Sequence, residues 1–121
     1  IKTEMSIHQY RAELVDVIDG DTYDFDVDLG FHVTKRIRVR LKGIDTAETY
    51  GVKKESEEYK QGKEQAEFVK EALQNADEVI LRTYKDDKGK YGRYLADVKL
   101  SEQGDLGELL VEEFGDSIKY E

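Results

Sequence analysis

Two segments of this chain alternate strictly between apolar and charged residues, and this pattern constrains the fold more than any other feature. Over Thr22–Asp28, three apolar side chains alternate with three aspartates. Over residues 37–41, three apolar residues are interleaved with arginines. Because successive side chains of a strand point to opposite faces, each segment predicts a strand with one buried and one solvated face. Gly30 is the expected turn between them, which makes an antiparallel meander.

The other periodic segments predict helices and further strands. Apolar residues recur at spacings of three and four over Glu57–Asn75, which predicts a helix. A second helix is expected after Gly104, with Asp105 as its N-cap. Further strands are expected over Leu14–Ile18, Val79–Tyr84 and Tyr94–Leu100, with a turn over Lys85–Lys90. The order of these elements predicts an α+β domain in which a small five-stranded barrel carries two packed helices.

Length and composition limit the number of domains and exclude several kinds of site. The chain has 121 residues, of which 39% are charged, and its formal net charge is −9. One domain is therefore expected. The absence of cysteine excludes disulfides and thiolate metal sites. No apolar run approaches the ~18 residues of a membrane span, so no membrane partner is expected.

The charges are segregated along the chain. Residues 13–28 contain seven acids and no base, whereas residues 35–42 contain five bases and no acid. A second basic cluster lies between Lys85 and Arg93. The net charge alone argues against a nucleic-acid partner, because phosphate backbones attract cations. The two basic clusters are either ordinary solvated surface or a local anion site, and both interpretations stay open at this point.

Three short segments carry residues that can form a chemical site. The first, Asp19-Gly20-Asp21-Thr22, directs two acids to one side of an extended chain. The second begins with Arg40 and continues with Asp45 and Glu48. The third, Lys90-Tyr91-Gly92-Arg93, opens a strand after the predicted glycine turn.

Together, these residue types suit phosphodiester hydrolysis. Asp21 and Asp45 are hard oxygen donors, and with a backbone carbonyl and water they can hold Ca²⁺. Arg40 and Arg93 present forked guanidinium groups that match phosphate oxygens. Glu48 is a carboxylate that can activate water. Each segment alone also has an ordinary structural interpretation, as a turn or as an exposed strand residue.

The order and separation of these segments resemble the staphylococcal nuclease (thermonuclease) family, whose pattern is D-G-D-T, then R-x-x-x-x-D-T-P-E-T, then K-Y-G-R. The resemblance implies an OB-type five-stranded barrel over residues 11–121, preceded by an N-terminal extension over residues 1–10. Ala47 stands where the family has proline. Because proline would stiffen that turn, we expect Glu48 to be held less firmly here.

The resemblance implies a metal site. Asp21, Asp45 and the backbone carbonyl of Thr46 are the expected Ca²⁺ ligands. Asp19 is expected near the ion, where it acts through water.

The resemblance also implies catalytic and substrate-binding roles. Arg40 and Arg93 are expected to contact the scissile phosphate and its transition state. Glu48 is the expected general base. The residues expected to line the nucleotide site are Lys90, Tyr91 and Tyr120.

The function implied by the resemblance is a Ca²⁺-dependent endonuclease. It is expected to hydrolyse phosphodiester bonds of single-stranded DNA or RNA and to leave 3′-phosphates. A monomer is expected, and the family habit favours a secreted or cell-surface location. One alternative is a catalytically inactive OB module that binds nucleic acid or protein, and another is a purely structural acidic domain. The five residues that degenerate domains tend to lose are all present: Asp21, Arg40, Asp45, Glu48 and Arg93.

Overall fold

The computed structural model describes residues 8–46, 56–88, 94–115 and 118–120, with the backbone alone for residues 45, 85–88, 119 and 120. Within these ranges the chain forms eight strands and two helices. In chain order they are β1 (His8–Asp19), β2 (Thr22–Asp28), β3 (Thr34–Leu41), β4 (Ile44–Asp45), α1 (Glu57–Asn75), β5 (Val79–Lys88), β6 (Tyr94–Leu100), β7 (Gly104–Asp105), α2 (Leu106–Phe114) and β8 (Lys119–Tyr120). Neither helix is long and apolar enough to cross a membrane.

Five of the strands form a closed barrel. Hydrogen bonds join them in the order β3-β2-β1-β5-β6, and a parallel pairing between β3 and β6 closes the ring. The other pairings of the ring are antiparallel. The short β7 extends the sheet beside β6, while β4 and β8 pair with each other. The predicted α+β barrel with two packed helices is confirmed.

The alternation in β2 determines which side chains form the core. Tyr23, Phe25 and Val27 are at most 2% exposed. Asp24 and Asp26 point to the outer face, where each pairs with an arginine of β3. The two predicted faces of this strand are therefore confirmed, and the inner one packs into a single apolar core.

The helices begin where the sequence predicts. The Ser56 hydroxyl accepts a hydrogen bond from an amide of the first turn of α1 at 3.1 Å, and α1 has the predicted span. The Asp105 carboxylate does the same for α2, also at 3.1 Å. Phe68 of α1 and Phe114 of α2 meet edge to face with ring centroids 5.5 Å apart. The two helices therefore contact each other as well as the barrel.

β1 and β5 extend well beyond the spans that the sequence predicts. β1 begins at His8, because its first residues pair with β5 before it pairs with β2. This places residues 8–10, which the sequence assigns to an N-terminal extension, in a barrel strand. The predicted turn is wrong for Lys85–Lys88, which continue β5 after a register shift and return to pairing at Lys88 with Tyr94. Backbone pairing with β6 overrides the turn-like composition there. The rest of that turn, residues 89 and 90, lies outside the described residues.

The N-cap of α2 offers a test of the helix start. Replacing Asp105 with alanine removes the acceptor for the amide of Glu108, so we expect a loss of about 1 kcal/mol in the free energy of unfolding. Urea denaturation measures this loss. Asp105→Asn keeps an acceptor oxygen and should lose much less. Equal losses in the two variants would contradict the capping role.

Candidate functional site

The candidate site is assembled by the pairing of β2 with β3. Their register places Thr22 opposite Arg40. The amide of Leu41 donates a hydrogen bond to the carbonyl oxygen of Asp21 at 2.8 Å. The turn that connects β1 to β2 is thereby held against the C-terminal end of β3. Two of the three predicted motif segments therefore meet at one place.

The carboxylate of Asp21 lies at the centre of this meeting point. Its Oδ1 accepts a hydrogen bond from the Thr22 hydroxyl at 3.0 Å, and its Oδ2 accepts one from the amide of Thr46 at 3.2 Å. Arg40 Nη2 lies 3.6 Å from the same Oδ2. All four of these residues are less than 9% exposed. A buried acid and a buried base thus share one polar cluster in an otherwise apolar barrel.

The three arginines of β3 have different environments. Arg38 forms two hydrogen bonds to Asp24 at 2.8 and 3.0 Å, and Arg36 forms two to Asp26 at 2.8 and 3.1 Å, both on the exposed face. Arg40 is only 8% exposed, because at its position β3 pairs with β2 on one side and β6 on the other. The interpretation of Arg40 as an exposed strand residue is therefore wrong. Much of the first basic cluster is matched by acids of the neighbouring strand.

Burial raises the pKa of the Asp21 carboxyl. The Thr46 amide, the charge of Arg40 and the Thr22 hydroxyl all favour the carboxylate, but they do not outweigh its removal from water. The nearby charge of Asp19 adds to the rise as the smallest of the causes. The ionised form of Asp21 is therefore destabilised in the folded protein, and a nearby positive charge would stabilise it.

Gly20 is needed because the turn packs closely on Thr46. A Cβ atom at Gly20 would lie 2.8 Å from Thr46 Oγ1 and 3.0 Å from two carbons of that side chain. Such distances are shorter than van der Waals contact, so a larger residue would displace either the turn or Thr46. The glycine of the Asp-Gly-Asp segment thus allows the two acids to approach the residue after β4.

The donor atoms at this place suit a hard cation such as Ca²⁺. Asp19 and Asp21 are 9% and 6% exposed, and the Thr46 hydroxyl oxygen is buried with no hydrogen-bond partner in the described part of the chain. Ca²⁺ takes carboxylate, carbonyl and water oxygens as ligands. Across the described residues, no three His, Cys, Asp or Glu side chains are grouped to hold a metal. The side chain of Asp45, which belongs to the expected ligand set, lies outside the described part of the chain.

The backbone brings two further predicted residues into one small sheet. Asp45 lies in β4, directly before Thr46. β4 pairs with β8, so that Ile44 faces Tyr120 and Asp45 faces Lys119. The backbones of Asp45 and Tyr120 are therefore neighbours beside the Asp21 cluster.

Four predicted site residues lie outside the described residues: Glu48, Lys90, Tyr91 and Arg93. The chain next to Arg93 is described. Tyr94, the residue after it, pairs with Val39, the residue before Arg40.

The alternating pattern of β2 does not reveal the role of Tyr23 at this site. It assigns Tyr23 to the buried face of β2, yet the Tyr23 hydroxyl donates a hydrogen bond to the carbonyl of Gly20. The alternating pattern requires only a large apolar side chain there and does not distinguish tyrosine from phenylalanine. The sequence indicates Thr22 only as the last residue of the Asp19-Gly20-Asp21-Thr22 segment.

Part of the chain matches a known protein family. A family model described as staphylococcal nuclease homologue matches residues 38–115, well over half of the chain. The match includes Arg40, Asp45 and Thr46, while Asp21 lies outside it. Asp21 nevertheless contacts Arg40, Leu41 and Thr46, which lie inside the matched segment. No curated protein matches the chain.

The raised pKa of Asp21 predicts a pH-dependent effect on stability. Above the raised pKa, the folded protein holds an ionised carboxylate that the unfolded chain would solvate better, so Asp21 lowers stability. As pH falls through that pKa, the folded state takes up a proton first and the penalty shrinks, until it is gone below about 3.8, the ordinary value of the carboxyl. We therefore expect Asp21→Asn to raise the melting temperature at neutral pH and to have little effect below that value.

Thermal unfolding followed by circular dichroism measures this difference. Glu64→Gln removes one exposed charge from α1 and controls for the change in net charge alone. A lower melting temperature for Asp21→Asn at neutral pH would instead identify Asp21 as a structural hydrogen-bond acceptor.

Proposed function

Because the chain belongs to the staphylococcal nuclease homologue family, we propose that it is a Ca²⁺-dependent nuclease. It hydrolyses phosphodiester bonds of DNA or RNA and leaves 3′-phosphates. Single-stranded nucleic acid is the proposed substrate, since a single strand can present its backbone to a recessed site.

The observation that carries this proposal is the buried pair of Asp21 and Arg40. Asp21 and Arg40 are residues less than 9% exposed, and their charged groups lie 3.6 Å apart. Burying such a pair is costly for stability alone. Burial of both groups is useful if Asp21 binds a cation and Arg40 binds a phosphate beside it, because charges attract more strongly when they are shielded from water. A buried acid with a raised pKa beside a charged partner is a candidate functional group.

The metal would be held by Asp21, Asp45 and the backbone carbonyl of Thr46, with Asp19 close by. When bound, Ca²⁺ supplies positive charge that neutralises the phosphate and the attacking group. In the protein, Gly20 lets the turn approach Thr46, and the Thr46 amide orients Asp21 Oδ2. These contacts are made within the protein itself, so they orient Asp21 for the proposed ion.

The arginines act on the phosphate. The proposed transition state carries more negative charge on its equatorial oxygens than the diester does, so donors aimed at those oxygens stabilise it preferentially. Arg40 and Arg93 supply the donors in this proposal. The burial of Arg40 restricts the directions in which its guanidinium group can point.

Glu48 is the proposed general base. Water attacks phosphorus while its proton passes to the Glu48 carboxylate, and the bond from phosphorus to the 5′ oxygen breaks. The 5′ oxygen takes up a proton and leaves as a hydroxyl, while the 3′ side keeps the phosphate. Lys90, Tyr91 and Tyr120 are the proposed nucleotide contacts.

A catalytically inactive binding module is the other outcome that the test must separate. Such a module would bind single-stranded DNA or RNA without cleaving it. The buried Asp21–Arg40 pair favours the nuclease, because a site that only binds would have no need to bury an acid beside its phosphate-binding arginine. Single-turnover hydrolysis of single-stranded DNA in the presence of Ca²⁺, with EDTA as the blank, tests the proposal directly. Binding without cleavage would reject it.

Arg40→Lys provides a test of the mechanism. Lysine keeps the charge but not the planar fork, so it cannot donate two hydrogen bonds to the equatorial oxygens. We expect the single-turnover rate at saturating substrate to fall by about 10²–10³-fold, with a smaller change in substrate affinity.

Arg38→Lys is the matched control for this variant. It is the same substitution two residues earlier in β3, at an arginine that pairs with Asp24 on the exposed face. We expect it to retain close to the wild-type rate. Equal effects of the two substitutions would mean that Arg40 contributes only to the charge or stability of the strand.

A further inference from the structure

Tyr23 is a buried tyrosine whose hydroxyl group ends at the candidate site. It is the first inward-facing residue of β2 and is completely buried. Its ring packs edge to face on Phe25 with centroids 6.0 Å apart. An apolar residue would satisfy this packing, and burying a phenol costs free energy unless its hydroxyl finds a partner.

The partner of the Tyr23 hydroxyl is the carbonyl of Gly20. That carbonyl belongs to the peptide unit that joins Gly20 to Asp21. Because a peptide unit is planar, the direction of its carbonyl fixes the backbone rotation on either side of it. Without this hydrogen bond the backbone dihedral angles of Gly20 would be poorly restricted, because glycine has no side chain to limit them. The hydrogen bond thus sets the direction in which Asp21 leaves the turn.

Two other contacts hold the same turn from different sides. The carbonyl of Asp21 accepts a hydrogen bond from the amide of Leu41 at 2.8 Å. The Cα of Gly20 faces the side chain of Thr46, with no room for a Cβ atom. The turn is therefore fixed by Tyr23 in the core, by β3 at its edge and by Thr46 on the side of β4.

We propose that Tyr23 is a positioning residue for the cation site: through the Gly20 carbonyl it holds Asp21 in the orientation that binds a divalent cation. This inference rests on the proposed function, because it assumes that Asp21 is a ligand. Tyr23 does not touch the ion or the substrate. Its effect is to reduce the conformational freedom that Asp21 would have to lose when the cation binds.

The test is the affinity of Tyr23→Phe for Ca²⁺ in the absence of nucleic acid. Phenylalanine keeps the ring in the core and removes only the hydrogen bond. Residues that orient metal ligands by hydrogen bonds typically contribute about 10–100-fold to affinity, and we expect a loss of about tenfold here. Titration of Ca²⁺ followed by the amide chemical shifts of Gly20, Asp21 and Thr46 measures this affinity without relying on activity.

Phe25→Leu is the matched control. It lies on the same face of β2, packs on the Tyr23 ring, and alters the core without touching the hydrogen bond. We expect its Ca²⁺ affinity to match that of the wild type. All titrations are run in sucrose, which favours the folded state and keeps a less stable variant measurable.

The outcomes separate this inference from the proposed function. A tenfold loss in Tyr23→Phe, with Phe25→Leu unchanged, supports the positioning role. Unchanged affinity in Tyr23→Phe, or equal losses in the two variants, overturns the role while leaving the nuclease proposal intact. A wild-type protein that does not bind Ca²⁺ overturns both.

Discussion

The register between β2 and β3 is the constraint on which the rest of the molecule depends. Placing Thr22 opposite Arg40 turns the aromatic side chains of β2 into the core and its aspartates towards the arginines of β3. The same register brings Asp21 beside Arg40 at the end of the pair. A slip of one residue would move every side chain of β2 to the opposite face. Core, surface ion pairs and candidate site are therefore specified together.

The candidate site departs from the pattern in which apolar side chains are buried and charged side chains face solvent. The other charged side chains of β2 and β3 remain at least partly exposed, but Asp21 and Arg40, at the end of this strand pair, are both buried. Local violations of an otherwise consistent pattern are expected at functional sites. The raised pKa of Asp21 shows that its neighbours do not fully compensate for its burial. The barrel tolerates this because the remainder of the strand pair is well packed and paired.

The sequence predicts the bounds of a helix or strand well where they follow from the spacing of apolar residues. It predicts them poorly where they depend on pairing with a strand that is distant in the sequence. The span Glu57–Asn75 follows from a single apolar stripe, and the structure has the same bounds. The continuation of β5 through Lys85–Lys88 depends on pairing with β6, to which local composition gives no clue. The alternating pattern likewise cannot distinguish the environment of Arg40 from that of Arg38, because the two arginines lie two residues apart on the same face of β3. Only the pairing of β3 with β6, which closes the barrel, buries Arg40. The motif segments identified the acids, but the contact between Asp21 and Arg40 required the register.

The acidic composition and the proposed chemistry are compatible because charge is balanced locally. Arg36 and Arg38 are each held by an aspartate of β2, so a polyanionic substrate gains less from them than the sequence cluster suggests. Lys42 is also engaged, with its ammonium group 4.0 Å from the centre of the Tyr84 ring. Under the proposed function, the bound cation would then supply a large share of the positive charge that attracts the phosphate. In a chain with a net charge of −9, substrate binding as well as the chemical step would then depend on the same ion.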